Sequence, residues 1–128
     1  MSEIFAAVYS RLNTDLSVPV YDHVPQDIYT FPYVRIDPLT LDNFDTDEEL
    51  GFSATLQIVA FSQYKGTKEV SELGVSIYDS LHRFAMADTA SYGVSAITQE
   101  FSTIALENDG ETRQSIQRFN ILFENLPL

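Results

Sequence analysis

The chain has 128 residues, of which 45% are hydrophobic and 12% aromatic, the make-up of one folded globular domain and not of a disordered segment. It contains no cysteine, which excludes disulfides and thiolate metal sites, and no stretch approaching the ~20 apolar residues that span a bilayer. Nineteen Asp and Glu against seven Lys and Arg give a net charge of −12 at pH 7, a field that repels phosphate backbones and anionic lipid.

In chain order, Ser2 to Asn13 has the spacing of a short helix. Ile4, Phe5, Val8 and Leu12 recur along one face, Ser2 is placed to cap the start with Glu3 in the first turn, and Asn13, Thr14 and Asp15 are expected to end it. Its opening residues lack the basic region and long apolar run of a signal peptide, so synthesis and use in the cytoplasm, or in a particle assembled there, are expected. From Val18 to Pro32 the chain is punctuated by Pro19, Pro25 and Pro32, which remove ladder donors and favour extended, irregular backbone with a short strand at Val20 and Tyr21. Tyr33 to Asp37 alternates apolar and polar residues, a strand that Pro38 stops.

Leu39 to Leu50 carries Asp42, Asp45, Asp47, Glu48 and Glu49 and no basic residue. Self-repulsion should keep it extended and solvated, as a hairpin arm or a long loop between two strands. Gly51 to Gln63 is the strongest strand signal. Phe52, Ala54, Leu56, Ile58 and Ala60 fall on one face, while Val59 and Phe61 make the far end of the other face apolar, so that end is expected to be covered on both sides.

A turn at Tyr64 to Gly66 leads to the main helix, Lys68 to Phe84, with Thr67 as its expected N-cap and Val70, Leu73, Ile77, Leu81 and Phe84 along one stripe. Gly74 inside that stripe costs about 1 kcal/mol against Ala, which points to close approach of a strand beneath it. Tyr92 to Ile104 is a further strand, Asn108-Asp109-Gly110 a tight turn, and Arg113 to Phe123 the last strand. In that strand Gln117, Phe119, Ile121 and Phe123 share one face and Arg118 and Asn120 the other. The resulting fold class is α+β: a mainly antiparallel sheet of four to five strands with two helices packed on it, in the order α-β-β-β-α-β-β across residues 1–128.

The residues offer little chemistry. His23 lies beside Asp22 in the Pro-rich stretch and His82 flanks the helix stripe, but no nucleophile motif accompanies either. Asp45, Asp47 and Glu49 have the spacing that opens a calcium loop, yet the sixth position is Leu50 in place of Gly and the twelfth Leu56 in place of Glu. There is no glycine-rich phosphate loop, and the seven basic residues are scattered, so no catalytic residue, metal site or cofactor is expected.

Three ordered stretches carry a resemblance. They are Val20 to Gln26 followed by Phe31-Pro32-Tyr33-Val34; Leu56-Gln57-Ile58 through Ser62, Gly66, Glu69, Ile77 and Leu81-His82-Arg83; and Asp109 to Arg113 leading into Ile116 to Phe119. In this order and spacing they resemble the tail completion, or tail terminator, proteins of long-tailed bacteriophages and phage-like particles, over nearly the whole chain. The resemblance implies a non-enzymatic structural subunit forming a ring, usually a hexamer, that caps the tail tube and joins it to the head-side connector. DNA would pass through the centre without specific binding. The expected partners are copies of the chain itself, the tube protein and the connector protein, with no membrane; the expected location is the virion tail or a phage-like particle, and the host cytoplasm during assembly. The acidic stretch Asp42 to Glu49 is more charged than the usual pattern of the family, and Asp42, Asp45, Asp47, Glu48 and Glu49 are the residues expected to meet a neighbour or the lumen. The alternative reading is an acidic adaptor, or a nucleic-acid mimic that binds a basic partner.

Overall fold

The computed structural model describes residues 2–25, 30–45, 50–82 and 92–125. Its elements are α1 (Ser2–Asp15), β1 (Val20–Tyr21), β2 (Tyr33–Ile36), β3 (Thr40–Asp45), β4 (Leu50–Ser62), α2 (Lys68–Leu81), β5 (Tyr92–Leu106) and β6 (Arg113–Asn125). The strands form one six-stranded sheet in the order β1-β2-β4-β6-β5, with β3 paired to β4 off that path. Only the β1–β2 pair is parallel, so the sheet is mixed and mainly antiparallel. The α+β class and the order of elements are those read from the sequence; the count of six strands includes β3, contributed by the acidic segment.

The two halves of β4 explain the architecture. Ala54, Leu56, Ile58 and Ala60 are buried in the principal core with Ile4, Val8 and Leu12 of α1 and Ile77 and Leu81 of α2. Both helices therefore cover one face of the sheet. On the opposite face Val59 and Phe61 join Tyr33 in a second, smaller core, packed by Tyr21, Val24, Phe31 and Ile116. The Tyr33 and Phe61 rings stack with centroids 4.7 Å apart. The apolar turn that the sequence takes at Val59 and Phe61 is thus the covering of both faces at that end.

Three local expectations are corrected. Helix α1 does not stop at Asn13 but runs to Asp15, because Asp15 has long-range reasons to be helical. Its carboxylate pairs with Arg11 one turn back at 3.1 Å and accepts the Ser80 hydroxyl of α2 at 2.7 Å. Buried Leu16 then donates its N–H to the Leu12 carbonyl. Thr67 occupies the N-cap position of α2 but makes no side-chain cap bond, its backbone lying at φ −105° and ψ 2°, outside the extended region a capping hydroxyl needs. Helix α2 ends at Leu81, with His82 extended as its C-cap, so it is shorter than the span to Phe84; residue 84 lies outside the described residues.

Gly74 is where α2 meets the sheet. A Cβ there would lie 2.9 Å from Ser115 Oγ and 3.2 Å from Gln117 Nε2, both on β6. The Gln117 amide donates to the Gly74 carbonyl at 2.7 Å. Glycine lets a backbone carbonyl sit on a buried strand side chain, the close approach expected from its place in the stripe.

Candidate assembly surfaces

The sheet ends in edges of very different length. Among the described residues β5 pairs with β6 alone, so its 15 residues leave one edge open. Pairing with β6 continues from Tyr92 to Leu106, interrupted by register shifts between Val94 and Ala96 and between Gln99 and Phe101. At the other end β1 has two residues. Strands β2 and β3 lie one after the other along the same side of β4, β2 opposite Ile58 to Phe61 and β3 opposite Leu50 to Thr55, while β6 holds the other side. The free edge of β3 therefore faces away from β5.

The expected contact residues divide between what is described and what is not. Asp42 stands opposite Ser53 and Asp45 opposite Leu50 in the β3–β4 ladder. Asp47, Glu48 and Glu49 lie outside the described residues.

Large exposed apolar side chains gather beside β5. Val75 and Tyr78 of α2 and Ile104 of β5 line a groove of about 250 Å³ between helix and strand, with Leu106 exposed two residues further on. On the far face Phe101 and Leu122 are exposed as well.

That far face also carries a chain of side chains that no single stretch of sequence announces. The Arg118 guanidinium lies 4.9 Å from the Phe101 ring centroid and donates to Gln57 Oε1 at 3.0 Å. Gln57 donates to Asp37 at 2.7 Å, and Asp37 also accepts from Arg35 at 2.7 Å. Arg35 in turn sits over Phe61, at 5.1 Å from its ring centroid. Arg35 and Arg118 are 83 positions apart in number; only the β2–β4–β6 register brings them into one line. The signal available in the sequence was the polar alternation at Arg35, Gln57 and Arg118, each on the face opposite the helices.

Among the described residues neither histidine is set in a nucleophile–base arrangement. His23 and Asp22 line a cleft of about 430 Å³ with the Tyr33–Phe61 stack and the β5–β6 turn. The aliphatic hydroxyl in that lining is Thr112, which donates to Asp109 at 2.6 Å and accepts from Gln63 at 3.2 Å, and so has no proton to spare for a base. His82 accepts the Gln99 N–H on Nδ1 at 3.1 Å and stacks on Tyr78 with centroids 4.5 Å apart, which ties the end of α2 to β5. Asp109 serves the turn: its carboxylate accepts the Thr112 hydroxyl and the Thr112 and Glu111 N–H groups, and those bonds hold its pKa below the ordinary 3.8. Gly110 follows in the left-handed region at φ +73°. Among the described residues no cluster of three metal-ligating side chains occurs, and none of their helices is long and apolar enough to cross a membrane.

Among the described residues the geometry combines an open β5 edge, exposed apolar residues beside it and polar side chains committed to one another. The sequence model of the tail completion protein gp17 family matches residues 6–124, and the chain belongs to that family. Membership makes it a structural component of a phage or phage-like tail. A chain from the virion of a native gene transfer agent particle has the same fold, with a TM-score of 0.83 over 93% of this chain and 92% of that one at 18% identity. Curated proteins include no sequence match.

Proposed function

We propose that the protein acts without catalysis as a tail terminator: copies close into a ring, a hexamer, that ends the tail tube and joins it to the head-side connector. DNA passes through the centre. The carrying observation is that a member of a tail completion family presents, among its described residues, unpaired edges at opposite ends of one sheet. Such edges suit the heterologous contacts from which rings are built, because an exposed edge offers unpaired N–H and C=O groups to a different patch on the next copy.

The acidity fits the same role. A net charge of −12 disfavours adhesion of a phosphate backbone, as a passage for DNA requires. Asp42, Asp45, Asp47, Glu48 and Glu49 are assigned to the lumen or to a neighbouring subunit, and the tube and connector proteins are the other partners. Net charge alone supports the acidic-adaptor alternative.

Electron microscopy of particles produced with this gene deleted tests the proposal. Over-long or unterminated tubes detached from heads are expected; tails of normal length joined to heads would refute it. Deleting Asp42 to Glu49 should impair ring closure or DNA passage, and fully infectious particles from that deletion would remove the role given to these acids.

A further inference from the structure

We infer that the ring contact is a strand addition: the open edge of β5 in one copy receives the β3 edge of the next, extending the sheet from subunit to subunit. The inference deepens the ring reading above and rests on it. Three observations carry it.

The first is protection. Edge strands of stable proteins are usually blunted by charge, by proline or by brevity. Strand β1 is blunted by its two residues. Strand β5 has fifteen residues, no proline and a single charged side chain, Glu100, in a chain where 20% of residues are charged. Its bulges fall at Val94 to Ala96 and Gln99 to Phe101, which leaves Phe101 to Leu106 as an unbroken ladder. A run left unguarded by the described residues in a protein of charge −12 fits a place where another strand sits.

The second is charge. Along Gln99 to Leu106 the charge of β5 itself is Glu100, Glu107 follows directly, and Arg118 and Arg113 stand on β6 behind the strand, Arg118 over the Phe101 ring and Arg113 opposite Leu106. Strand β3 carries two acids, Asp42 and Asp45, and no base. Two β3 edges would oppose acid to acid, which destabilises a ladder, whereas β3 against β5 brings an acidic strand to the edge backed by two arginines. A heterologous pair is thereby favoured over a two-fold one.

The third is direction. The β3 and β5 edges face opposite ways from the same sheet. Joining them therefore propagates from copy to copy and leaves no copy satisfied until the ring closes. Val75, Tyr78 and Ile104 beside the edge are then covered by the arriving copy.

Because the chain has no cysteine, the contact can be read by cross-linking. Thr40→Cys on β3 and Thr103→Cys on β5, both at exposed positions, are made in separate full-length chains, one carrying a size tag. They are mixed and treated with a short bis-maleimide, both free at high concentration and bound to tail tubes. The mixed Thr40–Thr103 product is expected to exceed the Thr103–Thr103 product by about tenfold, the ratio set by a preference of about 1.4 kcal/mol. Ile104→Lys, a charge placed on an already exposed edge position, should abolish it while leaving the melting temperature unchanged. A predominant Thr103–Thr103 product would establish two-fold pairing and overturn the inference. So would absence of the mixed product from chains that bind and cap tubes, which would leave the ring reading standing. Chains that never associate with tubes would instead bring down the functional reading itself.

Discussion

Gly74 shows how a single backbone position fixes the seating of a helix. Replacing it with Ala gains about 1 kcal/mol of helix propensity. The added Cβ, however, would meet Ser115 Oγ at 2.9 Å and the Gln117 amide at 3.2 Å, where both side chains are buried. Overpacking of this kind typically costs about 1–3 kcal/mol, so Gly74→Ala should lower stability by about 1 kcal/mol in urea denaturation. Adding Ser115→Ala leaves the Ser115 Cβ 3.8 Å away, an ordinary contact, and should recover at least about 0.5 kcal/mol beyond additivity. Strict additivity would mean that the helix seats elsewhere. Asp109 gives a second residue-scale test, in pH. Its pKa is depressed by the Thr112 hydroxyl bond first and by the Thr112 and Glu111 N–H groups next. The stability it contributes is therefore present above the ordinary carboxylate value and is lost as pH falls through the lower, folded value. Asp109→Asn should melt lower at neutral pH and show a shallower loss of stability between neutrality and acid than the parent chain. Parallel curves would show that the turn does not depend on the ionised carboxylate.

At the scale of elements, patterns repeated along one strand were legible and partnerships between distant strands were not. Strand β4 declared both of its environments, because its period-two pattern gains Val59 and Phe61 just where Tyr33 arrives from β2. The α2 stripe was legible for the same reason, with Val70, Ile77 and Leu81 all buried. The end of α1 was not, since Asp15 is held helical by Ser80, 65 residues away. Nor was the failure of Thr67 to cap, which is a matter of two dihedral angles. The Arg118–Gln57–Asp37–Arg35 line needed the register of three strands before its members could be seen as neighbours. Of the candidate contact residues, the acidic segment stood out by composition, whereas the open β5 edge became visible only once β5 was known to be the last strand of the sheet. The far face also offers a paired test. Phe61 is 4% exposed inside the smaller core, while Phe101 is 42% exposed beneath Arg118. Phe61→Ala should cost about 3–5 kcal/mol, the usual toll for emptying a buried aromatic site. Phe101→Ala should stay within about 1 kcal/mol, since it loses partial burial and one exposed cation–π contact. Equal losses in chemical denaturation would contradict the separation of covered and open ends of this face.

For the whole molecule, the charge of −12 that would suit the proposed passage for DNA opposes the gathering of copies into the proposed ring, and distance decides which effect salt removes. Repulsion between copies is summed over charges spread across both molecules, and the ~8 Å Debye length at 0.15 M screens far more of it than the ~30 Å length at 0.01 M. Backbone hydrogen bonds along an added strand, and apolar side chains such as Val75 and Ile104 beside it, act at contact and are barely screened. Raising ionic strength from about 0.01 to 0.15 M should therefore strengthen self-association of the full chain, seen as a rise in weight-average mass at fixed concentration in sedimentation equilibrium. The local attraction between the acids of β3 and Arg113 and Arg118 pulls the other way, but exposed pairs contribute only about 0–1 kcal/mol each and cannot reverse the trend. If association instead weakened steeply with salt, ion pairs would be the principal cement between copies, and the strand edge would be a consequence of their meeting in place of its cause.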